Sequence, residues 1–169
     1  ILGKPDLIIN VPTVKINNNN ADRFYIIKIP YQIKNNQYIR AAEFVAGQPG
    51  IVHHVNGHLL QFDNQTNPFN GRRIIETSDS NFIAQFDQLR LLNSNKSKPS
   101  RIHSAFNYLP GSFGVLYPEG IGGFLLTANG TFVANDIHYG PSRENLIDSS
   151  KLYVYFANKK PERPTYEIM

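Results

Sequence analysis

Histidine is the chemically distinctive residue of this chain. There are five, His53, His54, His58, His103 and His138, and three of them fall within one short stretch. Neutral imidazole is the commonest protein ligand for metal ions, and the chain has no cysteine to supply thiolate. Imidazole donors without thiolates suit copper or zinc better than magnesium or calcium. Three imidazoles around an ion with an open position make a reactive site rather than a closed structural one.

Strand parity complicates the adjacent pair. In a regular strand successive side chains point to opposite faces, so His53 and His54 reach one ion only if a bulge or a twisted strand end turns one of them. Gly50 and Gly57 flank the pair and ease such a distortion. His54 and His58 share a face without any distortion and are the default pair of a regular strand. Parity leaves both geometries open. His103, beside the polar stretch Lys98-Pro99-Ser100-Arg101, reads as an ordinary hydrogen-bonding histidine. Asp136 shares the face of His138 and is either an exposed strand residue or an acceptor for an imidazole N–H. Tyr139, on the opposite face, reads as core packing.

The elements that must carry these residues are β-strands. Ile8 to Ile16 and Phe24 to Ile33 are β-branched and aromatic, separated by the run Asn17 to Asn20 and Asp22, which reads as an exposed turn. Pro12 and Pro30 push both segments toward a sheet edge or strand end. Tyr38 to Val45 and Ile51 to Phe62, joined through Gly47-Gln48-Pro49-Gly50, are predicted as a hairpin. Residues 63 to 101 are polar and rich in breakers, a long and partly ordered connection in which Ile83 to Leu92 forms a short strand or helical turn. Gly114 to Tyr117, Gly123 to Thr127, Thr131 to Tyr139 and Lys151 to Ala157 complete the set, with Asn129-Gly130 as a hairpin signal. The prediction is an all-β fold, an antiparallel jelly-roll-like β-sandwich of about eight or nine strands, over residues 1–158. Residues 159–169 read as a tail or linker to a following domain.

Composition supports one domain. A length of 169 residues buries one substantial core, and eleven Phe and nine Tyr with no Trp suit pleated surfaces. The net charge of +4 comes from scattered Lys and Arg, with no basic stripe of the kind that binds nucleic acid. No apolar run reaches the roughly 18 residues of a membrane-spanning helix. The chain begins at Ile1 and reads as a processed or excised piece of a longer product. Three N-glycosylation sequons, at Asn64, Asn95 and Asn129, carry little weight in an Asn-rich chain, and Asn129 is explained by turn chemistry. No Ser-His-Asp order, phosphate-binding glycine loop or paired-carboxylate pattern stands out.

Four segments, in order, carry a resemblance. They are Tyr38-Ile39-Arg40-Ala41-Ala42-Glu43-Phe44, Ile51-Val52-His53-His54-Val55, Leu116-Tyr117-Pro118-Glu119-Gly120-Ile121-Gly122 and Asp136-Ile137-His138-Tyr139-Gly140. They resemble the N-terminal copper domain of the ascorbate-dependent, type II copper monooxygenases, the family of peptidylglycine α-hydroxylating monooxygenase and its bacterial homologues. The resemblance runs from about Tyr25 to Ala157 and is poor between 63 and 101. It implies copper bound by His53, His54 and His138, and so selects the adjacent pair. It also implies an electron-transfer role, with a second, oxygen-activating copper domain or an electron donor as partner, and a periplasmic, extracellular or cell-surface setting. The chain departs from the family in having no His-x-His pair, a sole methionine at Met169 and no disulfide. An oxygen-activating site is therefore not expected within this chain. The alternative is a non-enzymatic copper-binding or structural module of a larger extracytoplasmic protein. Oligomeric state is not legible.

Overall fold

The computed structural model describes residues 2–77, 85–112 and 114–165. Eight strands build two facing sheets: β1 (Leu7–Asn10), β3 (Arg23–Gln32), β4 (Gln37–Val45), β5 (Val52–Gln61), β7 (Ser100–Tyr108), β9 (Gly122–Leu126), β10 (Asn129–Tyr139) and β12 (Lys151–Phe156). One sheet runs β1-β12-β4-β9 and the other β3-β10-β5-β7, with every pair in both frames antiparallel. These are the interleaved sheets of a jelly roll, in which distant strands pair and most consecutive ones face each other across the core.

Among the described residues, five shorter strands decorate this frame and raise the count above the predicted eight or nine. They are β2 (Val14–Ile16), β6 (Ile74–Glu76), β8 (Val115–Leu116), β11 (Leu146–Asp148) and β13 (Arg163–Thr165). Ile8 to Ile16, predicted as one strand, is divided around Val11-Pro12-Thr13. Its first part, β1, joins β12, and its second, β2, joins β11 in a separate two-stranded sheet. Both predicted hairpins are corrected. β4 and β5 lie in opposite sheets, as do β9 and β10, so the Gly47–Gly50 turn and the chain before Gly130 are crossings between sheets. A strand that buries one face carries the same alternation whether its neighbour in sequence lies beside it or across the core. The segment from residue 159, predicted as a tail, supplies β13, which runs parallel to β9.

β7 is absent from the predicted set. It is an edge strand with a mostly exposed outer face, and Ser104 has φ +50°, a backbone break that interrupts its alternation. Of the predicted element Ile83 to Leu92, Ile83 and Ala84 lie outside the described residues; Asp87–Leu89 forms one 3-10 turn. Among the described residues no helix is long and apolar enough to cross a membrane.

The core lies between the sheets. Ile39, Phe44, Phe124, Leu126, Leu152 and Val154 of one sheet meet Ile27, Val55, Leu59, Phe106, Phe132 and Ile137 of the other. The outer face of the β3-β10-β5-β7 sheet is covered over only part of its length. There the connection after β5 packs Ile75 and Leu89 on Ile26, Leu60 and Val133. Lys28 fastens it, donating from its buried ammonium to the carbonyls of Asn70 and Leu89, both at 2.8 Å. Burial, and then the charges of Arg73 and Arg90, pull the Lys28 pKa down to about 8. The remaining stretch of that outer face carries Phe24, His138, His54 and Asp136.

Candidate metal centre

β10 lies between β3 and β5, and its register places His138 directly opposite Phe24 on one side and His54 on the other. The next register pair on the β5 side is Tyr139 with Val52, so one step along β10 spans two along β5 and His53 is the extra residue of a bulge. That bulge is the distortion the adjacent pair needs. It sets the His53 ring 4.7 Å and the His54 ring 5.1 Å from the His138 ring, centroid to centroid and both edge-on. A second bulge on β10, between Ala134 and Asp136, returns Asp136 and His138 to the outer face.

Each imidazole is held by a different neighbour. His138 stacks on Phe24 at 4.3 Å with the rings nearly parallel, and its Nε2 lies 2.9 Å from Asp22 Oδ1. His54 Nε2 lies 2.9 Å from Asp136 Oδ2. A carboxylate on one ring nitrogen fixes the tautomer and the orientation of the ring. His53 is exposed and packs over Gly140, with Nε2 its nearest atom to where a Cβ would stand.

Among the described residues, one group of His, Asp and Glu side chains brings three donor atoms within 4.8 Å of one another: Asp22, His53 and His138. His54 lies beside this group, engaged with Asp136, and shares His138 as a neighbour. Two donor sets thus overlap on His53 and His138, one of three imidazoles and one of two imidazoles and a carboxylate. Either suits a borderline ion such as copper or zinc, and the absence of thiolate disfavours a closed structural zinc site. The group is open to solvent, with the His138 side chain 17% and the Asp22 side chain 52% exposed.

His58 points to the same face as His54 but does not join the group. Its Nδ1 accepts the Ser104 backbone N–H at 3.3 Å, and its ring meets His103 edge-on at 5.0 Å. Burial lowers its pKa, with the charges of His103 and Arg101 acting the same way. Tyr139 is fully buried and donates to Asp148 Oδ2 at 2.7 Å, which makes it a core residue.

Two residues of the site are not visible in the sequence pattern. Asp22 reads there only as part of a loop; its place beside His138 follows from the pairing of Arg23 with Tyr139. Gly140 reads as part of a His-Tyr-Gly motif, and the structure supplies a reason for it. A Cβ there would stand 2.4 Å from His53 Nε2. Gly140→Ala is therefore expected to displace the exposed His53 imidazole at little cost to the fold. Metal affinity should fall by about tenfold while Tm stays within about 2 °C, a shift worth less than 1 kcal/mol at this chain length. Unchanged affinity in an isothermal titration of this variant would show that His53 does not need its place over Gly140.

Comparison with protein-family models and with curated proteins returns no match for the chain.

Proposed function

We propose that this chain is a copper-binding β-sandwich domain, that His53, His54 and His138 hold one copper ion, and that its role is electron transfer within an ascorbate-dependent copper monooxygenase system. The observation that carries the reading is the bulge at His53, which turns two adjacent histidines toward a third on the neighbouring strand. A bulge is a local cost, and bulges recur where a side chain must be re-aimed. Copper supplies a one-electron couple when bound; the protein supplies the ligands and their orientation.

The residues then divide the work. Phe24 fixes the plane of the His138 ring, and Asp136 fixes the orientation of His54. The jelly roll provides a rigid sheet under all three imidazoles, which limits how far they move between oxidation states. Oxygen activation on an organic substrate belongs, on this reading, to a partner domain or protein, since the sequence holds no His-x-His pair. An extracytoplasmic setting is part of the same proposal. The same sequence feature also favours a second reading, a non-enzymatic copper-binding module.

Metal titration tests both. The expected result is one equivalent of copper per chain, retained through reduction by ascorbate and reoxidation in air. Release of the ion on reduction would favour the non-enzymatic module, and absence of stoichiometric copper would remove both readings.

A further inference from the structure

We propose that Asp22 is an oxidation-state-selective donor at this site: beside His53 and His138 its carboxylate joins the three imidazoles on the cupric ion, and it is not a ligand of the cuprous ion. The inference rests on the copper reading above and extends it from three ligands to a ligand set that depends on charge.

The first support is spacing. Asp22 Oδ1 and His138 Nε2 are 2.9 Å apart, and one donor atom from each of Asp22, His53 and His138 lies within 4.8 Å of the other two. In the metal-free chain this contact is a hydrogen bond on the ring nitrogen, so an ion held by both atoms must displace the proton between them; two donors each about 2.0–2.1 Å from one ion and about 90° apart stand about 2.9 Å from each other, so the exchange needs little movement of either side chain. His53 contributes from the same end of the site, with its Nε2 turned toward Gly140, the residue that follows the His138-Tyr139 pair.

The second support is that Asp22 is placed by the fold. Its loop is tied down by a reciprocal pair of backbone hydrogen bonds between Asn19 and Ser142, each 3.1 Å. Asn18 N–H donates to Asn145 Oδ1 at 2.8 Å, and Ala21 N–H to Asn19 Oδ1 at 3.2 Å. On its other side Asp22 runs directly into β3, where Arg23 pairs with Tyr139. The Asn-rich run thus acts as a clamp that holds a carboxylate at the edge of the histidine group.

The third is chemistry. A carboxylate is a hard, anionic donor that suits a divalent ion, whereas cuprous copper favours soft donors and imidazole. A unit negative charge also attracts a doubly charged ion more strongly than a singly charged one at the same distance. Asp22 therefore favours the oxidised form and lowers the reduction potential of the site.

Asp136 is the internal control. It makes an equally short contact to an imidazole, 2.9 Å to His54 Nε2, but lies outside the three-donor group. It orients a ligand without being one.

The experiment measures cupric and cuprous affinities separately, by competition against chelators specific to each oxidation state, for the unmodified chain, Asp22→Asn and Asp136→Asn. Asp22→Asn is expected to lower cupric affinity by about tenfold or more and cuprous affinity by less than about threefold. A tenfold change in that ratio raises the reduction potential by about 59 mV for this one-electron couple. The cupric electron paramagnetic resonance spectrum of Asp22→Asn should shift toward a more nitrogen-rich ligand set, and that of Asp136→Asn should not. Equal loss in both oxidation states, or no loss in either, would overturn the assignment and leave Asp22 as an orienting partner of His138. Failure of the unmodified chain to bind copper would instead overturn the copper reading, and this inference with it.

Discussion

His138→Ala is expected to lower copper affinity by about a hundredfold or more, since loss of an orienting partner alone typically costs 10- to 100-fold and His138 is a ligand. With His53 it is one of the two residues that both donor sets share, and its ring stands 4.7 Å from the His53 ring and 5.1 Å from the His54 ring. His53→Ala and His54→Ala are expected to be comparably severe, because either leaves two imidazoles where the site needs three. His58→Ala and His103→Ala should stay within about threefold, a difference of less than 1 kcal/mol. The reason lies in the His58 ring, whose Nδ1 already accepts a backbone N–H, so that its other nitrogen carries the proton and has no lone pair to offer. Stoichiometric copper titration of the five variants separates the geometries. Full affinity after His138→Ala would remove the assignment, and a large loss after His58→Ala would restore the regular-strand pair of His54 and His58.

The largest stability effect is expected at Gly57, which sits between the two histidine groups of β5. A Cβ at this position would stand 2.0 Å from Phe106 Cε1 and 2.2 Å from its Cζ. Phe106 cannot swing away cheaply. It is fully buried, stacked with Phe44 of the facing sheet at 6.2 Å and edge-on to Phe132 at 5.9 Å. Gly57→Ala should therefore cost about 2–3 kcal/mol, toward the upper end for an overpacked core. For a chain of this length that is a fall of roughly 5–10 °C in Tm. Phe106→Leu shortens the obstructing side chain, so its combination with Gly57→Ala should be less destabilising than the two single losses added together. Additive losses in thermal unfolding would show that the cost of Gly57→Ala does not come from the Phe106 ring. Gly57 thus has a packing role beyond the backbone freedom its position beside the histidine pair suggests.

The His-His pair and the later His-Tyr-Gly segment are legible as donor candidates because ligand chemistry is a property of residue type and needs no coordinates. The long strands are legible for a similar local reason. Phe24 to Ile33, Tyr38 to Val45, Ile51 to Phe62 and Thr131 to Tyr139 all show alternation or β-branched runs, and all are strands in the structure. Parity also says that His53 and His54 can share an ion only through a local distortion, although it does not choose that pair over His54 and His58.

Pairing was decided only in three dimensions. Period two records that a strand buries one face, but not whether its neighbour in sequence lies beside it or across the core, so both predicted hairpins turned out to be crossings between sheets. The same limit hid Asp22, 116 residues from His138 in the chain and 2.9 Å from it in the fold. It also hid the fit of Gly140 to His53 and the fastening of the polar connection by Lys28. The types of the candidate ligands were therefore set by the sequence, whereas the carboxylates beside them, and the open stretch of sheet on which they stand, were set by long-range register, which no local pattern encodes.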